Sequence, residues 1–583
     1  MVGNPEVGVF VHQIPYSPSY ERNRSLVAVR SPLYSDVMER MYVLMRILIF
    51  CLLSITTASA VFAADKTAER VHQLFASFDK PGSPGCSVGV IRNGNFDYKK
   101  SFGYASLELG VPLTPESVFY MGSVSKQFTA ASVVLAAEQG YLSLDDDVHK
   151  YIPELLDYGH PVTLRQMLHQ TSGFRDFFDL IALSGRDPGN VSPDEILKLM
   201  TRQKGLNNVP GEEWIYSNSN YFLLAEVVQR ATKMSFARFA AKNVFQPLGM
   251  MHTLFYDDNA LVVPNRVAAY GPGKNGNFQV DWSTTYDLVG SGGLMSNLDD
   301  LLLWDRNFYS NKLGKGTLLK ELQSRGVLNN GNQINYAMGL SLEDYRGLPT
   351  VEHNGALFGY RTGFLRFPQQ RFSVIVLCNL SSTDTESLSH QIADLYLHGN
   401  FAPASSALRV SSGFPDAANF AGTYFDPRTK TIYKFTADHG NLVGWGAVLR
   451  RIDANKFYDL GGNVITFGKA NGIMHASLRI PEKVYFSGDK VQPVQPNGAE
   501  LTKLKGNFYS EELGVTYALL VDRGRLTVKK PDSTTMPLDA VTHNEFCSDN
   551  LGTIVFETDA GQRVSGFVVF RQAARGIIFT TVN

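Results

Sequence analysis

Apolar and polar positions divide the chain into an N-terminal apolar segment, a region of mixed helix and strand patterns, and a tail of short strands. After a helical pattern over 66–79, residues 86–91 and 96–103 predict two strands. They are joined through Arg92-Asn93-Gly94, and Asn-Gly is a strong signal for a two-residue hairpin. An early hairpin next to a helix indicates the start of an α/β domain.

Helical periodicity dominates the middle of this region and recurs over 125–139, 163–169, 192–201 and 220–232. The third of these helices is preceded by Ser192-Pro193-Asp194-Glu195, a capping box with proline at the first helical position. Strand patterns return over 362–367 and 372–377. We therefore predict a mixed α/β domain over 66–400 whose sheet is built from both of its ends.

The tail repeats itself beyond a linker rich in Ala, Ser, Pro and Gly over 401–415. Four positions recur 84 residues later: Gly422, Tyr433, Asp438 and Gly440 as Gly506, Tyr517, Asp522 and Gly524. Three more recur 89 residues later: Asn455, Phe467 and Gly472 as Asn544, Phe556 and Gly561. Chance matching of turn residues is the alternative. We predict two tandem all-β, barrel-like domains over 416–498 and 501–583.

The N-terminal apolar segment has the pattern of a cleaved export signal. It begins after Met45-Arg46 and becomes small and hydroxylated toward Ala63, where we predict cleavage. An uncleaved anchor is the alternative, but about 20 apolar residues are needed to span a bilayer. We therefore predict a signal over 41–63, a periplasmic or secreted protein, and no membrane span after cleavage. Residues 1–40 show no pattern of a buried core, so we predict that they are a spurious or disordered extension. Translation would then start at Met38, Met41 or Met45.

Composition excludes several classes of partner. With 583 residues, 44% of them hydrophobic, the chain can bury more than one core. Its 54 basic and 55 acidic side chains create no strong field for nucleic acid or anionic membrane.

Beyond the signal, Cys86, Cys378 and Cys547 are odd in number and far apart, which predicts buried single thiols. No residue spacing indicates a metal site, and we expect no cofactor.

Ser123 and Lys126 stand three residues apart at the start of a predicted helix, which puts both side chains on one face. A serine hydroxyl is a weak nucleophile and needs a base within about 3 Å and donors for the oxyanion. Lys126 supplies the base if burial or nearby positive charge lowers its pKa. The backbone N–H of Ser123 offers half of an oxyanion hole. Alone, the pair equally fits an exposed lysine and a capping serine.

Tyr216-Ser217-Asn218 follows as a second candidate segment. A phenol acts as a general base once nearby cations favour its phenolate, and Lys126 and His353 are candidates for that effect. Asn218 is placed to orient the lysine and to bind a substrate carbonyl. A turn ahead of the next helix is the alternative for this tripeptide.

His353-Asn354-Gly355 is the third candidate segment, although a lone histidine is more often structural. Gly355 permits close backbone approach, so this strand can pair with an extended substrate, with Asn354 beside it. The N–H of Ala356 would complete the oxyanion hole. Arg361 is a candidate for binding a substrate carboxylate, with a structural ion pair as the alternative.

These segments and several others occur in an order that resembles the serine β-lactamase-related family, over about 66–395. That family includes class C β-lactamases, D-alanyl-D-alanine carboxypeptidases, D-aminopeptidases and some esterases. The resemblance rests on segments 103–105, 121–126, 168–173, 210–218, 247–250, 292–296 and 353–360. It implies a β-lactamase/transpeptidase-like mixed α/β fold, with an antiparallel sheet flanked by helices and a largely helical subdomain.

The resemblance also implies roles for the site residues. Ser123 would be the acylated nucleophile, Lys126 its activator, Tyr216 a proton shuttle and Asn218 a contact to substrate and lysine. His353 stands where class C β-lactamases carry lysine. This departure is similar to D,D-peptidases and D-aminopeptidases, and it argues against efficient β-lactam hydrolysis.

The leading hypothesis is an exported serine hydrolase that forms an acyl-enzyme on amides containing D-residues, as a D-aminopeptidase or D,D-carboxypeptidase does. D-aminopeptidases of the family resemble this layout of a catalytic domain followed by two barrels. A short-chain carboxylesterase, a weak β-lactamase and a non-catalytic peptide-binding envelope module are the alternatives. Substrates would be small peptides, amides or esters, and the sequence leaves the oligomeric state open.

Overall fold

The computed structural model describes residues 41–42, 44–45, 66–282, 287–401, 416–444, 447–458, 464–480, 483–561 and 563–582. The chain divides into two compact units, 1–67 and 68–583. The predicted extension 1–40, nearly all of the predicted signal 41–63 and of the linker 401–415 lie outside the described residues. In the described segments, no helix has both the length and the apolar character needed to cross a bilayer.

A six-stranded antiparallel sheet forms the centre of the mixed α/β region predicted over 66–400. In spatial order its strands are Ser341–Tyr345, Leu348–Leu357, Tyr360–Phe367, Phe372–Cys378, Cys86–Arg92 and Asn95–Phe102. The predicted hairpin is present, and Asn93 and Gly94 take the positive φ angles that its tight turn requires, 52° and 76°. Because the first strands pair with the last strand, both ends of the region share one core.

Helices flank this sheet and build a second, largely helical part, which confirms the predicted fold class. They include Ser125–Glu138, Leu164–Leu168, Phe177–Ser184, Pro193–Thr201, Asn218–Thr232, Phe236–Ala240, Leu298–Ser310, Leu318–Leu322 and Thr385–Leu397. The four helices predicted for the middle of the region are present, with ends within two residues of the prediction, and the helix predicted over 66–79 extends over 66–74. The capping box at Ser192 has both of its hydrogen bonds to Glu195.

The helix Ser125–Glu138 runs through the interior of the mixed α/β region. Its residues 125–136 are all buried, as expected for a helix that is mostly Ala, Val, Leu and small hydroxyl residues on every face. It packs against the helix Asn218–Thr232. The first turns of the two helices are adjacent, since the side chains of Lys126 and Asn218 are within hydrogen-bonding distance.

Cys86 and Cys378 form a disulfide, so the predicted pair of buried single thiols is wrong. The two residues lie opposite each other on the adjacent antiparallel strands Cys86–Arg92 and Phe372–Cys378. Residues far apart in sequence meet here because the sheet joins the two ends of the region. Cys547 is a buried free thiol, as predicted.

Replacing Cys86 and Cys378 together with serine is expected to lower the free energy of unfolding of the mixed α/β region by about 2–5 kcal/mol, because the cross-link constrains the unfolded chain. Thermal unfolding of the wild type with and without a reductant, beside the double variant, measures this. Reductant should leave the variant unchanged. Equal melting temperatures for wild type and variant would contradict a stabilising disulfide.

The tail folds into two all-β domains. The first is a closed barrel of eight strands, Gly422–Asp426, Thr431–Asp438, Asn441–Gly444, Ala447–Asp453, Lys456–Tyr458, Val464–Ala470, Ile473–Ile480 and Lys483–Val491. The second is a nine-stranded sheet of Gly506–Ser510, Val515–Asp522, Arg525–Lys529, Thr535–Pro537, Asp539–Ala540, Glu545–Ser548, Gly552–Thr558, Val564–Phe570 and Arg575–Thr581. Their first two strands are offset by 84 residues, as in the repeat.

The repeat also extends to hydrogen bonds. The Phe467 N–H donates to the Asn455 carbonyl oxygen at 2.8 Å, and the Phe556 N–H donates to that of Asn544 at 2.9 Å. The sheets lie within the predicted ranges 416–498 and 501–583, whose boundaries stay predictions.

Candidate active site

Ser123 and Lys126 are placed by the entry into the buried helix. Ser123 lies in the short 3-10 turn Gly122–Val124, which leads directly into the helix Ser125–Glu138. Lys126 is in the first turn of that helix and is 0% exposed. Its Nζ atom lies 3.0 Å from Ser123 Oγ. The two side chains therefore meet at hydrogen-bonding distance.

The other contacts of Lys126 determine where its lone pair points. Lys126 Nζ lies 2.9 Å from Asn218 Oδ1 and 2.8 Å from the carbonyl oxygen of Ser291. Both oxygens accept hydrogen bonds and donate none. A neutral amine therefore donates its two N–H groups to them and turns its lone pair toward the hydroxyl of Ser123.

Burial lowers the pKa of Lys126 to about 7, against the opposing effect of the Asp176 carboxylate. A substantial fraction of Lys126 is therefore neutral at neutral pH. A buried amine in this state can accept the proton of a serine. The geometry and the pKa favour the same chemistry.

The surroundings of Tyr216 favour its protonated phenol over the phenolate considered from the sequence. Burial raises the pKa of Tyr216 well above its ordinary value. The positive charge expected to oppose this is reduced, since burial lowers the pKa of Lys126 to about 7 and that of His353 to about 3. The Tyr216 hydroxyl hydrogen-bonds the Ser123 side chain, and Lys126 Nζ lies 4.8 Å from the centre of the phenol ring. Tyr216 can relay a proton as a hydroxyl.

His353 is neutral, and both of its ring nitrogens are used. Its Nδ1 lies 2.7 Å from the carbonyl oxygen of Asn354, which only accepts, so Nδ1 carries the proton. Its Nε2 then accepts a hydrogen bond from the Tyr336 hydroxyl at 3.2 Å. The rings of Tyr216 and His353 lie 6.2 Å apart. This arrangement suits His353 for holding the neighbouring tyrosines in place.

The strand Leu348–Leu357 passes directly against the turn that carries Ser123. A Cβ atom on Gly355 would lie 2.2 Å from the carbonyl oxygen of Met121, and one on Gly122 would lie 2.7 Å from Ala356 N. Such distances to backbone atoms leave room only for glycine. The contact brings the backbone N–H groups of Ser123 and Ala356 to one place, which is what an oxyanion requires.

A cavity of about 510 Å³ opens beside Ser123. It is lined by Tyr120, Gly122, Ser123, Phe178, Tyr216, Asn218, Ser291, Gly292, Asn354, Gly355, Ala356, Leu357, Arg361, Thr383, Asp384, Thr385 and Glu386. All lie between positions 120 and 386, in the catalytic region. Of the predicted site residues, Lys126 lies behind this wall and His353 stands next to the strand residues that form it.

The cavity wall carries two carboxylates and one guanidinium. Glu386 is half-buried and accepts a hydrogen bond from Asn354 Nδ2 at 2.9 Å, while Asp384 is exposed. The guanidinium of Arg361 donates to the carbonyl oxygens of Phe358 and Tyr360, both at 2.7 Å. Part of its hydrogen-bonding capacity is therefore committed to the backbone.

Sequence reasoning missed four residues of this site: Asp176, Ser291, Tyr336 and Glu386. Asp176 and Ser291 each lie close to a segment that carries the family resemblance, at 168–173 and 292–296, and that proximity is the available signal. Tyr336 and Glu386 lie outside all such segments. Their contribution depends on folding alone.

Comparison with known proteins agrees with the family resemblance found in the sequence. The beta-lactamase family model matches residues 71–397. A D-aminopeptidase of Brucella melitensis biotype 2 is 24% identical over 537 residues, which cover 87% of this chain and 97% of that protein. A D-aminopeptidase of Brucella anthropi is 27% identical over 533 residues, which cover 86% and 96%.

Among solved structures, an octameric penicillin-binding protein homologue from Pyrococcus abyssi is similar at 20% identity and a TM-score of 0.52, over 80% of this chain and 97% of its own. That likeness shows the fold. The family match covers more than half of the 583 residues and includes Ser123, Lys126, Tyr216 and His353. The chain belongs to the beta-lactamase family and is a serine hydrolase.

Proposed function

We propose that this protein is an exported hydrolase that releases N-terminal D-residues from amides and short peptides through an acyl-enzyme on Ser123. One observation carries the chemistry: Lys126 Nζ lies 3.0 Å from Ser123 Oγ while two acceptor oxygens take its N–H groups, so that a neutral amine directs its lone pair at the Ser123 hydroxyl. The D-aminopeptidases that match nearly the whole chain support the substrate class.

In the proposed reaction, Ser123 Oγ attacks the amide carbonyl carbon while its proton passes to Lys126 Nζ. The negative charge on the carbonyl oxygen is stabilised by the N–H groups of Ser123 and Ala356. As the C–N bond breaks, the Tyr216 hydroxyl gives a proton to the leaving amine and regains one from Lys126. Water then attacks the ester, and the same groups return the serine to its starting state.

The charges in the cavity favour a substrate with a free amino group. Glu386 and Asp384 place two negative charges on the cavity wall against the single positive charge of Arg361, and all three groups also hydrogen-bond to the protein. A carboxypeptidase needs the opposite, a cation ready for the terminal carboxylate of its substrate. We therefore assign the ammonium of the D-residue to the wall that contains Glu386.

Replacing Glu386 with glutamine is expected to raise KM for D-alanine p-nitroanilide about 10- to 100-fold with little change in kcat, because a half-buried ion pair to the substrate is lost. Initial rates for D-alanine and L-alanine p-nitroanilides and for N-acetyl-D-alanine p-nitroanilide measure this. The acetylated substrate carries no ammonium, so its weaker hydrolysis should be the same in both enzymes.

Arg361→Met is the matched variant on the same wall. It should leave D-alanine p-nitroanilide hydrolysis within about twofold of wild type. If N-acetylated D-alanyl-D-alanine proves the better substrate and Arg361→Met abolishes its cleavage, the enzyme is a carboxypeptidase and the proposed ammonium site is wrong.

Two features support export. The apolar segment before Ala63 has the pattern of a cleaved signal. The disulfide between Cys86 and Cys378 is of the kind that persists in oxidising compartments. A periplasmic or secreted location is therefore part of the proposal.

A further inference from the structure

Behind the active site, the carboxylate of Asp176 holds the amide of Asn218. Asp176 is 5% exposed, and its Oδ2 accepts hydrogen bonds from the backbone N–H of Asn218 and from Asn218 Nδ2, the latter at 2.9 Å. Its Oδ1 accepts the N–H of Phe178 at 2.9 Å at the start of a helix. With Nδ2 held this way, Oδ1 of Asn218 is the atom that faces Lys126.

The C-terminal β domain holds the Asp176 segment from the opposite side. The Asp176 N–H donates to the carbonyl oxygen of Ala573 at 2.7 Å. Arg571 Nε lies 3.0 Å from an Asp179 carboxylate oxygen, and the Ala573 N–H donates to the other at 3.2 Å. Residues 571–576, a loop and the first two residues of the strand that follows it (called the loop 571–576 below), thus make these three polar contacts with residues 176 and 179.

A buried ion pair reinforces the same junction. Arg175 and Glu512 are 4% and 2% exposed and form a salt bridge across the two domains. Arg175 also donates to the carbonyl oxygens of Arg575 and Gly576, at 2.9 and 3.0 Å. Buried charges with complete hydrogen bonding hold their partners in one geometry. The residue directly before Asp176 is therefore anchored in the C-terminal domain.

We infer that Asp176 is a positioning residue for Lys126, acting through Asn218, and that the loop 571–576 of the C-terminal β domain holds Asp176 in place. This rests on the proposed function, since it takes Lys126 as the base. Asp176 touches no reacting atom: it orients the amide that accepts one Lys126 N–H and so keeps the lone pair on Ser123. The C-terminal domain is then part of the catalytic scaffold even though it contributes no residue to the wall of the described cavity.

Asp176 also acts on Lys126 through its charge. Burial and the charge of Asp179 raise the pKa of Asp176 to about 6, and its carboxylate raises the pKa of Lys126. The titratable groups that face this pair are Asp179, Tyr216, Tyr221 and His353. Removing the carboxylate should therefore lower the pKa of Lys126 and move the acid side of the activity profile to lower pH.

Asp176→Asn tests the first part, with the pseudo-first-order rate of labelling by a fluorophosphonate probe measured between pH 5 and 9. In this variant one carboxylate oxygen is replaced by an NH₂ group. That NH₂ group must face either the N–H donors of Asn218 or the N–H of Phe178 at the start of the helix, so one of these hydrogen bonds is lost. We expect the labelling rate to fall about 10- to 100-fold at pH 8 and its midpoint to move to lower pH. Purely structural damage would lower the rate without moving the midpoint.

The outcomes separate the two proposals. If the wild type is not labelled at all, the proposed nucleophile fails. If the wild type is labelled and Asp176→Asn keeps its rate and midpoint while melting at a similar temperature, the inference about Asp176 is wrong. A variant that does not fold is replaced by Asn218→Asp, which puts a carboxylate beside Lys126 and should move the midpoint to higher pH. An unmoved midpoint there overturns the inference equally.

Arg571→Met tests the second part, because it removes the ion pair to Asp179 and leaves the catalytic region unchanged. Lys530→Met is the matched control: Lys530 Nζ donates to the Ala182 carbonyl oxygen at 2.9 Å, from the same domain to the far end of the same helix. We expect Arg571→Met to slow labelling about 3- to 10-fold and the control to stay within twofold. Equal rates for both variants would overturn the role of the loop.

Discussion

Ser123→Ala is expected to abolish labelling by a fluorophosphonate probe and to lower kcat/KM for D-alanine p-nitroanilide by at least about 10³-fold. The change removes the oxygen that lies 3.0 Å from the Lys126 amine and beside the N–H groups of the turn and strand. Binding and oxyanion stabilisation remain, so a small residual rate over water is expected. Fluorescence of the labelled protein in a denaturing gel, together with release of p-nitroaniline, measures both effects.

Ser217→Ala is the matched control for this substitution. Ser217 is fully buried between Tyr216 and Asn218, and its side-chain oxygen has no hydrogen-bond partner among the described residues. The control should be labelled at a rate within about twofold of wild type. Undiminished labelling of Ser123→Ala would place the nucleophile elsewhere and remove the basis of the proposed reaction.

Lys126→Met and Lys126→Arg are both expected to lower kcat/KM by at least about 10³-fold, because neither side chain accepts a proton. In the wild type, kcat/KM should rise from pH 5 to pH 8 with a midpoint near 7. The sign follows from the pKa of Lys126, about 7: the amine is charged and inactive below this value and neutral and active above it. Stopped or continuous assays of D-alanine p-nitroanilide across this range give the profile.

The arginine variant separates two roles for the lysine. If Lys126 acted only as a positive charge, arginine would preserve much of the activity, and the wild-type rate would fall as pH rises through 7. Either result would contradict the role as a base. Thermal unfolding of both variants shows whether they are folded, and Lys530→Met serves again as a control that removes a lysine away from the candidate site.

Local signals account for the part of the fold that is predictable from sequence. The hairpin follows from Asn93-Gly94, whose positive φ angles are those of a tight turn, and the capping box at Ser192 starts a helix where predicted. The tandem repeat predicts two similar β domains because matched turn residues recur at a constant offset. Each of these features involves residues close together in the chain or a pattern that repeats.

A sheet built from both ends of the region is predictable, but which strands are neighbours in it, and in what register, is not. Cys86 and Cys378 are separated by 292 residues, and nothing local shows that their strands are adjacent and in register. The phenol of Tyr216 shows a similar limit. Its neighbours suggest a phenolate, but burial decides the pKa, and burial is a property of the folded core.

The residues of the candidate site divide in the same way. Ser123, Lys126, Tyr216 and Asn218 have sequence signals and meet in the structure. The supporting residues were missed because their contacts are tertiary. Glu386, for example, reaches the cavity from the start of a helix that follows the last strand of the sheet.

The pairing of strands in the central sheet limits which truncated variants of this protein can fold. The fifth of its six strands, Cys86–Arg92, is hydrogen-bonded along one edge to Phe372–Cys378. The paired residues Cys86 and Cys378 are 292 positions apart in the sequence. A fragment that stops before residue 378 would leave that edge bare and prone to pair with another molecule. Useful truncations must therefore keep both termini of the hydrolase region, and sites for inserted tags belong in its surface loops.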